Sequence, residues 1–202
     1  MVIVKIPNFP EGQYIKSVTD KKRIILHHTV SSNEQSPINW WEQTPERVAT
    51  SYVIAKDGTI IEVYDSDYWA YHIGKGSTAT DNKEAIGIEI VNEGGLFRRD
   101  ESYFWLDGKA KYSGIPHNHN AEWRGFRYFA SYQEEQYQAV AELCKMLCEK
   151  HKIVDEVYTG LDYSKEYFKW NGILSHRNLR ADKTDVSPAW DMDKFINLMR
   201  IK

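Results

Sequence analysis

Six side chains in this 202-residue sequence stand where they could bind a metal or move protons: His27, His72, Glu89, His176, Lys183 and Asp185. His27 and His28 close an apolar run at residues 23–29, RIILHHT. Adjacent strand residues point to opposite faces, so only one of the two histidines can look into a given cleft. A single strand-end histidine is more often a hydrogen-bonded structural residue than a ligand, so a metal role needs partners. Residues 175–185, SHRNLRADKTD, offer them: a strand ends, and an irregular loop presents His176, Lys183 and Asp185. Two donors on one loop and a histidine from another strand make three ligands. Catalytic zinc uses that number and keeps a fourth position for water. The same spacing equally describes a surface loop with ordinary charges.

Glu89 lies within residues 85–91, AIGIEIV, opposite Ile86, Ile88 and Ile90. A carboxylate among such neighbours either faces a cleft, where a raised pKa suits a general base, or sits solvated on an edge strand. His72 falls in WAYHIGKG, a glycine-containing turn, and is either a substrate contact or a turn histidine. Lys183 either steadies a developing oxyanion or is a solvated lysine. The pair in PHNHN, His117 and His119, has polar, turn-like neighbours and is expected to be solvated in a loop.

These residues need a scaffold, and the hydrophobic pattern supplies one. Residues 1–21 are expected to be a leader packed on the domain, with Pro7, Pro10 and Gly12 preventing regular structure; the domain proper is 22–202. The run at 23–29 predicts a strand buried on both faces. Ser36-Pro37 opens a short helix through Trp40 and Trp41. Residues 51–56 and 59–64 flank Asp57-Gly58, a hairpin signal, and 85–91 predicts another strand. Residues 92–130 are long for a loop, hence either functional or partly structured. A capping box of Ser131 and Glu134 starts an amphipathic helix to about Lys150, whose end His151 is expected to serve. Residues 172–175 predict a last strand and 192–200 a final helix. The fold class is α/β: one domain with a central mixed sheet flanked by helices.

Composition excludes several classes. A net charge of −3 without a basic stripe argues against a nucleic-acid partner. No segment has the roughly 20 apolar residues of a membrane span, so no insertion is expected. Cys144 and Cys148, four apart on a helix, are expected as buried thiols. Residues 1–10 lack a charged region followed by an apolar run, so the chain is expected to be cytoplasmic as synthesised. Later release to the periplasm or cell wall, as an endolysin or effector, stays compatible with this. Aromatic content is 13%, suited to sugar and peptide faces as well as to packing. The sequence leaves the oligomeric state open.

Taken in order, five blocks carry a resemblance. IILHHTV, SYVIAKDGTI, WAYHIGKG, AIGIEIVNEG and SHRNLRADKTDVSPAWDM resemble the zinc-dependent N-acetylmuramoyl-L-alanine amidases, the type shared by muropeptide-recycling amidases, phage amidase lysozymes and peptidoglycan recognition proteins. The resemblance covers about residues 22–200. It implies zinc in a surface groove, held by His27, His176 and Asp185, with His28 facing away. It implies Glu89 as the base and Lys183 on the oxyanion side. His72 and Trp69 of the third block, and Trp105 of the long stretch, are the expected substrate contacts, with Phe104, Trp123 and Tyr128 as further candidate groove walls. The substrate implied is peptidoglycan or a muropeptide, cut between the lactyl group and L-alanine.

Two departures stand out. The family's D-P-G-P-A-F is here Asp185-Val186-Ser187-Pro188-Ala189-Trp190, and a tyrosine that assists some members is matched by Thr50, with Tyr52 two further on. A non-catalytic peptidoglycan-binding module of the same fold is the main alternative, but such relatives usually lose a zinc ligand. A zinc peptidase is the other, without its usual H-E-x-x-H helix.

Overall fold

The computed structural model describes residues 2–201. Its centre is a six-stranded mixed sheet of β1 (Ile3–Lys5), β2 (Arg23–His28), β3 (Tyr52–Ile54), β4 (Ile60–Glu62), β5 (Ala85–Ile90) and β11 (Gly172–Ser175). The strand order is β1-β4-β3-β5-β2-β11. β3, β5, β2 and β11 run parallel to one another, while β4 is antiparallel to β3 and carries β1 alongside it in parallel. β2 and β5 are central, and their unbroken apolar runs follow from burial on both faces.

One face, carrying Ile24, Leu26, Ile86, Ile88 and Ile90, packs on α3 (Glu134–His151) through Val140, Leu143, Cys144 and Leu147. α5 (Met192–Arg200) adds Phe195 to the same core. The opposite face buries Val53 and Val91 under Ile38 and Trp41 of α1 (Gln35–Gln43). Beside them Ile25, Ile73, Leu174 and Leu179 form a smaller cluster. Truncating one of the central isoleucines to alanine removes about 2–5 kcal/mol, because such a site refills only partly.

The strands at 23–28, 85–90 and 172–175, the hairpin and the helices at 35–43 and 192–200 lie where the sequence places them. The leader departs from expectation: residues 3–5 form β1, because Pro7, Pro10 and Gly12 all lie beyond it and leave its backbone free to pair. The capping box of α3 is Gln133 with Gln136 rather than Ser131 with Glu134, since the Ser131 hydroxyl donates to the Ile115 carbonyl instead. His151 does not cap its helix; its ring meets the Ser66 hydroxyl at 2.9 Å. Cys144 and Cys148 are free and buried.

The long stretch is structured. β6 (Gly95–Arg99), β7 (Ser102–Trp105), β8 (Ala110–Tyr112), β9 (Pro116–Trp123) and β10 (Phe126–Ala130) form a second, antiparallel sheet in the order β8-β7-β6-β10-β9. His117 and His119 are therefore strand residues, their rings 6.3 Å apart on one face of β9, not loop residues. Buried Asn92 ties the entry and exit of this sheet together. Its Oδ1 accepts from the Gly94 amide at 2.8 Å, and its Nδ2 donates to the carbonyls of Ala130 (3.1 Å) and Ser131 (3.2 Å).

Candidate metal centre and its groove

The four parallel strands end together, and a crevice beyond their carboxyl ends is where open α/β sheets place ligands. Register does the positioning. His27 of β2 lies beside Glu89 of β5, and Ser175 of β11 pairs with Leu26, so His176 emerges next to His27. His176 starts α4 (His176–Leu179), and the loop after that short helix brings Asp185 back to the same point. The Nδ1 atoms of His27 and His176 are 3.0 Å apart; Asp185 Oδ2 is 2.9 Å from the second and 3.2 Å from the first. Among the described residues, this is the one group of three or more such side chains placed to hold a metal ion.

The surroundings fix these rings. His176 Nε2 is 2.8 Å from the Ile73 carbonyl, which can only accept, so Nε2 donates to it and Nδ1 is turned to the centre. His27 Nε2 meets His72 Nδ1 at 3.0 Å. The turn bearing His72 and Ile73 hangs on Asn82, from α2 (Ala79–Lys83), whose Oδ1 accepts both backbone amides at 3.0 and 3.2 Å. Gly87 lets this turn approach the sheet: a Cβ there would stand 2.8 Å from Thr50 Cγ2 and 3.0 Å from His72 Nδ1.

Charge in the centre follows from enclosure. Burial, with His176 adding repulsion, pushes His27 down to about 4, so its imidazole is neutral at ordinary pH. Burial opposes ionisation of Asp185, yet His176 and His27 outweigh it and hold the carboxyl well below the usual range. Burial, helped by the Asp185 charge, raises Glu89 to about 8. One carboxylate is thus kept ionised beside the donors, and a second is poised to hold or release a proton near neutrality.

The groove around this centre has a volume of about 600 Å³. Two other clefts match it in size, at about 610 and 600 Å³, and neither contains a histidine, so chemistry and not volume singles this one out. Its lining brings together His27, His72, Glu89, His176, Lys183 and Asp185. His28 turns its ring to the other side, where Nδ1 meets the Tyr132 hydroxyl at 3.0 Å. Trp69 and Trp105, the expected substrate contacts, do not line this groove. Trp69 is 6% exposed, bridges to Ile15 and packs edge-on against Tyr71. Trp105 packs on Leu96, Tyr112 and Ala130 within the second sheet, as a cross-strand partner of Ala110. Phe104, Trp123 and Tyr128 are absent from the lining too. Thr50 and Tyr52 supply no groove phenol: the Thr50 hydroxyl donates to the Tyr52 carbonyl, and the Tyr52 ring is buried on the α3 side.

Sequence reasoning missed Trp40, which stands 53% exposed on the groove lip with Val30, while Trp41 anchors the same helix in the core. The Trp-Trp pair at helical spacing was the available signal, since two neighbours on a helix cannot both face inward.

The sequence profile of the N-acetylmuramoyl-L-alanine amidases matches residues 18–188. The chain belongs to that family. Solved amidases share its fold at low identity. The amidase LysC from Clostridium intestinale URNW is 15% identical, with 100% of this chain and 99% of that one covered and a TM-score of 0.57. The Staphylococcus aureus hydrolase AmiA in complex with its ligand is 15% identical, covers 98% and 82%, and scores 0.56. The AmiD amidase from E. coli, in complex with an anhydro-N-acetylmuramic acid tripeptide substrate, is 17% identical, covers 91% and 59%, and scores 0.58. A comparison with curated proteins finds no significant match. As an amidase of this family, the chain acts on peptidoglycan or muropeptides, and the mixed sheet flanked by helices is the family's architecture.

Proposed function

We propose that this groove is a zinc amidase site that hydrolyses the bond between the lactyl group of N-acetylmuramic acid, or of its anhydro form, and L-alanine. The observation that carries the reading is the triangle of His27 Nδ1, His176 Nδ1 and Asp185 Oδ2, with edges of 2.9–3.2 Å. Tetrahedral zinc with bonds of about 2.0–2.2 Å sets its ligand atoms roughly 3.3 Å or slightly more apart, so these donors fit with a small outward shift. Two neutral imidazoles and one carboxylate suit that ion, and the set leaves one position open. Bound there, zinc would polarise the scissile carbonyl and acidify a water.

The chain's own residues do the rest. Glu89, enclosed beside His27, accepts a proton from the attacking water and delivers it to the departing L-alanine amine. Lys183 lies on the groove wall, two residues before Asp185, and offers a cation to the oxygen that gains charge. Trp40 and Val30 make the facing lip apolar, suited to the carbon face of a sugar ring. His72 acts on His27 through its 3.0 Å contact and positions a ligand rather than touching substrate.

The direct check is the His176→Ala variant, assayed for bound zinc and for muropeptide turnover. Both are expected to be lost. A variant that kept its zinc and its rate would overturn the assignment.

A further inference from the structure

Among the described residues, the hydrogen bonds from the second sheet to the loop between His176 and Asp185 come from one side chain, Arg124. β9 and β10 are joined by a two-residue turn, Arg124-Gly125, in which both residues have positive φ, at 48° and 85°. Such turns favour Asn or Asp at the first position, and an arginine there is uncommon. Its side chain shows what it does. Arg124 lies over the Trp123 ring at 4.6 Å and donates to three carbonyls between the two loop ligands. Nη2 reaches Arg177 O at 3.0 Å, and Nη1 reaches Arg180 O at 3.1 Å and also Lys183 O. α4 is only four residues long, so its last carbonyls have no partners further along the helix. The other end of the loop is held separately, by Arg177 donating to Val186 O and Ser187 O.

We propose that Arg124 is a positioning residue for the metal loop, which makes the second sheet a working part of the centre. A planar fork can hold three carbonyls that diverge, whereas an ammonium point charge cannot hold all of them. With the fork removed, the 177–183 turn loses its outer support, and Lys183 and Asp185 lose their fixed approach to His176. Outer supports of this kind set metal affinity by about 10–100-fold.

The test uses the full chain as Arg124→Ala and Arg124→Lys. Hydrogen exchange in the metal-free protein is read over residues 177–187, with β2 and β5 as internal controls for intact fold. Exchange in the loop is expected to quicken in Arg124→Ala with the control strands unchanged, and Arg124→Lys is expected to fall between it and the wild type. Zinc affinity, measured by competition with a chromogenic chelator, is expected to drop about 10–100-fold in Arg124→Ala, with kcat falling more than KM rises. Wild-type exchange and zinc affinity in Arg124→Ala would overturn the proposal. If that variant does not fold, Arg124→Lys decides: behaviour identical to wild type in both measurements overturns it. The zinc arm rests on the proposed metal site, whereas the exchange arm needs no metal, so failure of one is separable from failure of the other.

Discussion

The two nitrogens of His176 divide the work of the site: one is fixed by the Ile73 carbonyl, and the other faces His27 and Asp185. Glu89, one strand over, is the complementary case, a carboxyl whose enclosure favours the neutral form. Its pKa in the folded chain, about 8, exceeds the ordinary 4.5, so the native state binds more protons between those values. The stability this contributes is fully present below the ordinary value and is lost as pH rises through about 8. Glu89→Gln has no such proton to lose. The melting temperature of metal-free Glu89→Gln is therefore expected to gain on wild type as pH rises across that window, while turnover falls about 10²–10⁴-fold with the metal site intact. A melting difference that stays constant with pH would show that Glu89 is not held in the way described.

At the scale of elements, the turn between β4 and α2 matters as much as the strands. Asn82 is fully buried and accepts the amides of His72 and Ile73, so it sets both the neighbour of His27 and the carbonyl that orients His176. Asn82→Ala would leave the His72 and Ile73 amides without their acceptor, and a loss of about 2–3 kcal/mol in urea unfolding is expected. A change under about 0.5 kcal/mol, the scale of an ordinary surface substitution, would sink that reading. Asn82 could not be picked out in sequence, because nothing local marks an asparagine whose partners lie ten residues back. The parallel strands could, because burial on both faces forces long apolar runs such as RIILHH and AIGIEI. His27, Glu89 and His176 were legible through those runs, each sitting in or just beyond a strand. The second sheet was only half visible: residues 92–130 are too long for a plain loop, but none of its strands carries an unbroken apolar run, and the Arg124-Gly125 turn lacks the usual Asn or Asp. An aromatic near a site in sequence can equally serve packing, and Trp69 and Trp105 both pack here.

For the whole molecule, two sheets meet at one loop. The mixed sheet supplies His27, Glu89 and the strand leading to His176, while the antiparallel sheet steadies the segment between His176 and Asp185 through Arg124. No helix among the described residues is long and apolar enough to cross a membrane. The groove is open at the surface, with an apolar lip at Trp40 and a charged one at Asp182 and Lys183, which matches a substrate that is sugar on one side of the scissile bond and peptide on the other. The most direct measurement is mass analysis of the products when the zinc-loaded chain acts on a muropeptide of known structure, with and without prior chelation. Two fragments are expected, the muramic acid sugar with a free lactyl carboxylate and a stem peptide with a free L-alanine amine, and neither after chelation. Cleavage within the peptide or between sugars, or cleavage that survives removal of the metal, would contradict it.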